Sequence, residues 1–126
     1  MAVIASIFVA LAALLHGYIF LMESVWWTRP ATWKRFGVPD QAQADVTRPM
    51  AYNQGFYNLF LGLGAAVGLV LFWSGAVTAG TTLVLFTTAC MVLAAAVLTT
   101  TGRGYVRPAL IQGTLPLIGF VLFLFA

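Results

Sequence analysis

Six polar side chains sit inside stretches that are otherwise apolar: His16 and Glu23 in the first, Asn53, Gln54 and Asn58 in the second, and Gln112 in the last. A carboxyl group and an imidazole can each take or give a proton. Amides both donate and accept hydrogen bonds, so this set has the makings of a binding wall around an ionisable centre. His16 and Glu23 are seven residues apart, which on a helix puts them on one face. Gln54 and Asn58 are four apart and share a face as well, with Tyr52 and Tyr57 interleaved. Two helical turns separate His16 from Glu23, roughly 10 Å, so direct proton exchange between them is disfavoured.

Other chemistries lack their residues. One His and one Glu without a thiolate partner is not a metal-ligand set, and no cofactor is implied. Asp40 and Asp45 lie in a loop, away from the depth of His16, so no Ser-His-Asp arrangement can be assembled. The glycines lie within an apolar helix and form no phosphate-binding loop. Cys90 is the single cysteine, which allows neither an internal disulfide nor a dithiol redox pair.

The elements that hold the six residues are membrane spans. Only 7% of the 126 residues are charged, 62% are apolar, and the mean hydropathy is +0.99. A soluble domain carries roughly 25% charged residues, so nine charges cannot solvate a globule of this length and the solvent is lipid. Uncharged runs cover residues 1–22, 49–102 and 108–126. A spanning helix needs about 20 mostly apolar residues. The outer runs fit one span each, and the middle one fits two, with Ser74–Gly80 as the turn. The first span has no basic n-region and is longer than a signal core, so it is expected to be retained.

These limits predict an all-α, antiparallel up-down four-helix transmembrane bundle. It forms a single transmembrane domain over 1–126, with helices about 2–27, 49–73, 77–100 and 105–125 and an interfacial loop 28–48. Trp26 and Trp27 would close the first helix as an aromatic belt. Pro30 and Gly37 suit the two ends of a short helix whose Trp33 and Phe36 would lie flat in the interface. Arg29, Lys34, Arg35 and Arg48 fall in the first loop, Arg103 and Arg107 in the third, and none falls elsewhere. That asymmetry predicts a multi-pass protein of the inner membrane with those loops in the cytoplasm and both termini outside. It also accounts for the net charge of +3 without a nucleic-acid partner.

Depth follows from about 1.5 Å per residue. His16 and Asn58 come out roughly 15 Å deep, near the midplane, while Glu23, Asn53, Gln54 and Gln112 lie roughly 4–9 Å inside the cytoplasmic boundary. A polar pocket would therefore open toward the cytoplasm. Gly64 and Gly68 form a small-xxx-small motif that serves either packing within the bundle or a homo-oligomer seam. Pro116 is expected to kink the last helix and free the carbonyl of Gln112.

Several segments carry a resemblance. His16-x-Tyr18-x-Phe20-Leu21-x-Glu23 followed by Trp26-Trp27, Phe36-Gly37, Asn53-Gln54-Gly55-x-Tyr57-Asn58-x-Phe60-Leu61 and Gln112-Gly113-x-x-Pro116 together resemble the domain of unknown function 1304 family. These are small bacterial four-span membrane proteins. The resemblance covers nearly the whole chain, except for an individual turn at Thr101–Gly104. It implies the four-span topology and assigns no activity.

Three functions stay open. The first is binding or translocation of a small solute, proton or lipid-like ligand. Glu23 would then be the ionisable centre, His16 a second proton site, and Asn53, Gln54, Asn58 and Gln112 the wall. The second is a non-catalytic accessory or assembly subunit held together by the amides. The third is a membrane enzyme using Glu23 and His16 as acid and base on an apolar substrate.

Overall fold

The computed structural model describes the whole chain, Met1–Ala126, and it is all-helical. Helix α1 (Ala2–Phe20) runs into a π-helical turn, Leu21–Val25; a short α2 (Pro30–Arg35) follows. Three long helices complete the chain: α3 (Gln41–Trp73), α4 (Val77–Thr99) and α5 (Val106–Phe123), the last preceded by a 3₁₀ turn, Arg103–Tyr105. Four helical segments are long and apolar enough to cross a membrane. In the apolar 18-residue stretch of each span only 22–28% of residues are buried within the chain, which leaves apolar side chains for lipid to cover. The protein is a multi-pass membrane protein.

Two compact units are distinguished, 1–15 with 61–126 and 16–60. The first is an antiparallel four-helix bundle. Its core is made largely of small side chains: Ala5, Val9, Ala12, Ala65, Val84, Met91 and Phe123. Small residues let backbones approach closely, which is how helices gain contact where lipid is as apolar as leucine. Gly64 and Gly68 carry out this role against α4. A Cβ on Gly64 would come within 2.7 Å of Thr87 Cγ2, and one on Gly68 within 2.9 Å of the Val84 backbone nitrogen. The face that the sequence offered to a second copy is therefore occupied by the chain's own helix. The packing alternative holds there, and the homo-oligomer seam through Gly64 and Gly68 is withdrawn.

The threonines of α4 satisfy themselves. Buried Thr87 and Thr88 donate to the carbonyls of Leu83 and Val84 at 2.8 and 2.7 Å. Thr99, Thr100 and Thr101 return to Ala96, Val97 and Leu98, which caps the last carbonyls of the helix. At the other end, Gly75 (φ +100°) turns the chain from α3 into α4.

The second unit departs from expectation at α3. This helix begins at Gln41, eight residues before the expected start at 49, and continues through Pro49. Asp40 makes the early start possible: its Oδ1 accepts the Gln43 N–H at 2.8 Å, an N-cap. The Trp27 indole then donates to the Ala44 carbonyl at 2.9 Å, tying the first turns down. At 33 residues α3 is about 50 Å long, more than a roughly 30 Å hydrocarbon core, so its polar first turns extend into water. There the carbonyl left without a partner by Pro49 can be hydrated, which explains why proline is tolerated inside the helix.

Two aromatic assignments also change. Trp27 is buried and clasps α3, so it is no part of a headgroup belt. Trp33 is likewise buried, with its indole donating to Gln41 Oε1 at 3.0 Å, and does not lie flat at the membrane surface.

An even number of spans puts both termini on one side, and the six-to-none cation split predicts that the charged loops are on the other, cytoplasmic, side. A reporter active only in the cytoplasm is expected to work when inserted near Gln43 and to be silent when fused after Ala126. The opposite pattern contradicts the orientation.

Candidate functional site

The site is built where the π turn meets α3. In that turn the Trp26 N–H reaches back five residues to the Leu21 carbonyl at 2.8 Å, and the widened turn contains Glu23 and Ser24. A π turn is a common way for a helix to end, and here it closes the first span. Opposite them on α3 is Gly55, whose missing side chain is the key to the contact. A Cβ there would collide with Ser24 Oγ and stand 3.1 Å from Glu23 Cβ. Ser24 uses the space to donate to the Tyr52 carbonyl at 2.8 Å. One turn along α3 from Gly55, Asn58 Nδ2 donates to Glu23 Oε2 at 2.8 Å and to the Gln54 carbonyl at 3.1 Å. Asn58 is buried, with 7% of its surface exposed, and Glu23 is half-buried.

A repeating stripe orients these residues. On α1 the buried positions are Ala5, Val9, Ala12, His16 and Ile19, and the next step of the same spacing is Glu23. On α3 they are Ala44, Ala51, Gly55, Asn58, Gly62, Ala65 and Gly68. Steps of three, four or seven residues keep one face of each helix in a single seam. His16 is fully buried in the α1 seam.

The other expected wall residues fall elsewhere. Asn53 and Gln54 are exposed, just off the α3 seam, and Gln54 contributes only its backbone carbonyl. Gln112 is half-buried on α5, in the other unit. Glu23 thus has an amide rather than an arginine for a partner. Neither the groove at Tyr18 and Arg35 nor the one at Ala95 and Gly113 is lined by Glu23 or Asn58. Asn58 is buried and Glu23 half-buried, so the pair is packed between the π turn and α3.

Ser24 and Gln41 escaped the sequence reading. Gln41 Nε2 donates to the Thr28 carbonyl and to Asp45 Oδ1, both at 3.0 Å, and so closes the loop onto α3. The α3 seam was the available signal: its register alone separates Asn58 from Asn53 and Gln54.

The chain matches the model of the family described as Protein of unknown function (DUF1304) over residues 10–124. It belongs to that family. The matched range takes in the π turn, Gly55 and the Glu23–Asn58 pair. No curated protein and no solved structure matches the chain.

Gly55 gives this DUF1304 protein a direct test of the construction. Gly55→Ala should displace Ser24, break its bond to Tyr52 and push Glu23 away from Asn58. The expected loss is about 1–3 kcal/mol of stability, read as a lower melting temperature in detergent. A variant that melts like the wild type contradicts the close approach.

Proposed function

We propose that this protein binds or translocates a proton, or another small solute, at an intramembrane site centred on Glu23 with Asn58 as its partner. The hydrogen bond from Asn58 to Glu23 inside a membrane-spanning pair of helices carries the reading. An ionisable group within a span is costly, and it persists where it has a partner and a use. Asn58 can donate to a carboxylate and, with small movement, accept from a protonated carboxyl, so the pair can hold both forms of the group. His16, in the same α1 seam, is the second proton site of the reading. The packed surroundings favour the smallest ligand, a proton, over a bulky one.

The accessory-subunit reading uses the same bond as a clasp, since Asn58 joins the Glu23 side chain to α3 and braces itself on the Gln54 carbonyl. Flux separates the two. Liposomes containing a pH-sensitive dye should lose an imposed pH gradient faster with the purified protein than without it. Identical rates in the two preparations would leave only the clasp.

A further inference from the structure

A groove of about 200 Å³ lies within residues 16–60, lined by Tyr18, Met22, Trp26, Arg29, Thr32 and Arg35. Its lining changes character along its length. Tyr18 and Met22 belong to the membrane-spanning segment, whereas Arg29 precedes α2 and Arg35 ends it, both beyond the span. Arg29 lies over the Trp26 ring, with its guanidinium carbon 5.4 Å from the ring centre. Arg35 donates from Nη1 to the Tyr18 hydroxyl at 3.0 Å. Each contact gives its guanidinium an aromatic partner, and Arg35's bond uses one of five N–H donors.

The chain's three acids hold other partners: Glu23 takes Asn58, Asp40 takes the Gln43 N–H, and Asp45 takes Gln41. No acidic side chain lines the groove. Two guanidinium groups therefore line one groove just beyond the end of the first span, together with aromatic and thioether side chains.

We infer that this groove holds an anionic glycerophospholipid, its phosphate on Arg29 and Arg35 and its glycerol and first acyl carbons against Met22, Tyr18 and Trp26. The planar fork of arginine matches phosphate oxygens two at a time, and basic pockets at the cytoplasmic edge of spanning helices suit lipid head groups. A free phosphate ion would satisfy the arginines but would leave the apolar half of the groove without a role. An amphipathic ligand fills both halves.

The purified full chain in neutral detergent supplies the test, with phosphatidylglycerol, phosphatidylcholine and inorganic phosphate added separately. Bound lipid is read by native mass spectrometry and melting temperature. Phosphatidylglycerol should stay bound and raise the melting temperature, while the other two should do neither. Arg29→Gln and Arg35→Gln should each weaken binding roughly tenfold, as expected for one charge-assisted contact. Lys34→Gln and Arg48→Gln, which lie outside the groove, should leave it unchanged. The pair Arg29→Lys and Arg35→Lys keeps the charge and the fold while removing the fork, and should also bind more weakly. Equal stabilisation by inorganic phosphate or by phosphatidylcholine overturns the assignment. So does an equal loss from Lys34→Gln and Arg48→Gln, or an unchanged affinity in the lysine pair.

Discussion

Gly80→Val should be among the most destabilising substitutions in the four-helix unit, lowering stability by about 3 kcal/mol, the upper end for an overpacked site. A Cβ at Gly80 would run into the Phe72 backbone nitrogen and stand 2.7 Å from the Gly68 carbonyl oxygen. These obstacles are backbone atoms, which cannot swing aside as a side chain end can. To accept the valine, α3 and α4 must separate, and the contacts of Gly64 with Thr87 and of Gly68 with Val84 would loosen with them. Gly17 is the control. Nothing lies within 4 Å of a Cβ there, so Gly17→Ala should be neutral or stabilising, since glycine inside a helix costs about 0.5–1 kcal/mol relative to alanine. Unfolding of both variants in detergent, side by side, checks the pair. A Gly80→Val protein as stable as the wild type would mean that α3 and α4 are not in close contact.

The second large effect is expected at Asn58. Asn58→Leu removes the donor to Glu23 Oε2 and leaves a half-buried carboxyl group unsatisfied. Leaving a buried polar group without its partner costs about 1–3 kcal/mol, more when the group is charged. Glu23→Gln behaves differently. Its side-chain carbonyl can accept the same Asn58 bond in the same shape, so the change in stability should stay within the worth of one interhelical hydrogen bond, about 1 kcal/mol. Glu23→Leu combined with Asn58→Leu removes both members, and the double variant should be more stable than Asn58→Leu alone. Melting curves of the set measure the coupling directly.

How far the sequence reveals this architecture depends on what each feature is made of. The spans are written in composition: charges interrupt the apolar runs only at the loops, and lipid leaves few other solutions. The turn at Gly75 and the cap at Asp40 are likewise local and visible in residue type. The extension of α3 through Pro49 is harder to see, because it depends on Trp27 reaching a backbone carbonyl 17 residues away in sequence. The π turn at Leu21–Val25 leaves no mark in residue type at all, since it is a shift in backbone pairing. Glu23 and Asn58 were legible as polar groups out of place in apolar spans. Asn53 and Gln54 seemed equivalent to Asn58 only while residues were counted individually. Taken as a stripe, Ala51, Gly55, Asn58, Gly62 and Ala65 put Asn58 in the seam and the other two outside it.

Whether Glu23 works or merely holds is decided by one comparison. Wild type and Glu23→Gln, reconstituted at equal density in dye-loaded liposomes, are challenged with the same pH gradient, and their melting temperatures are recorded in parallel. A proton site predicts that Glu23→Gln loses the flux and falls to the rate of protein-free liposomes while its melting temperature stays near that of the wild type. Flux that survives in Glu23→Gln, or a variant that loses its fold and its flux together, would contradict it.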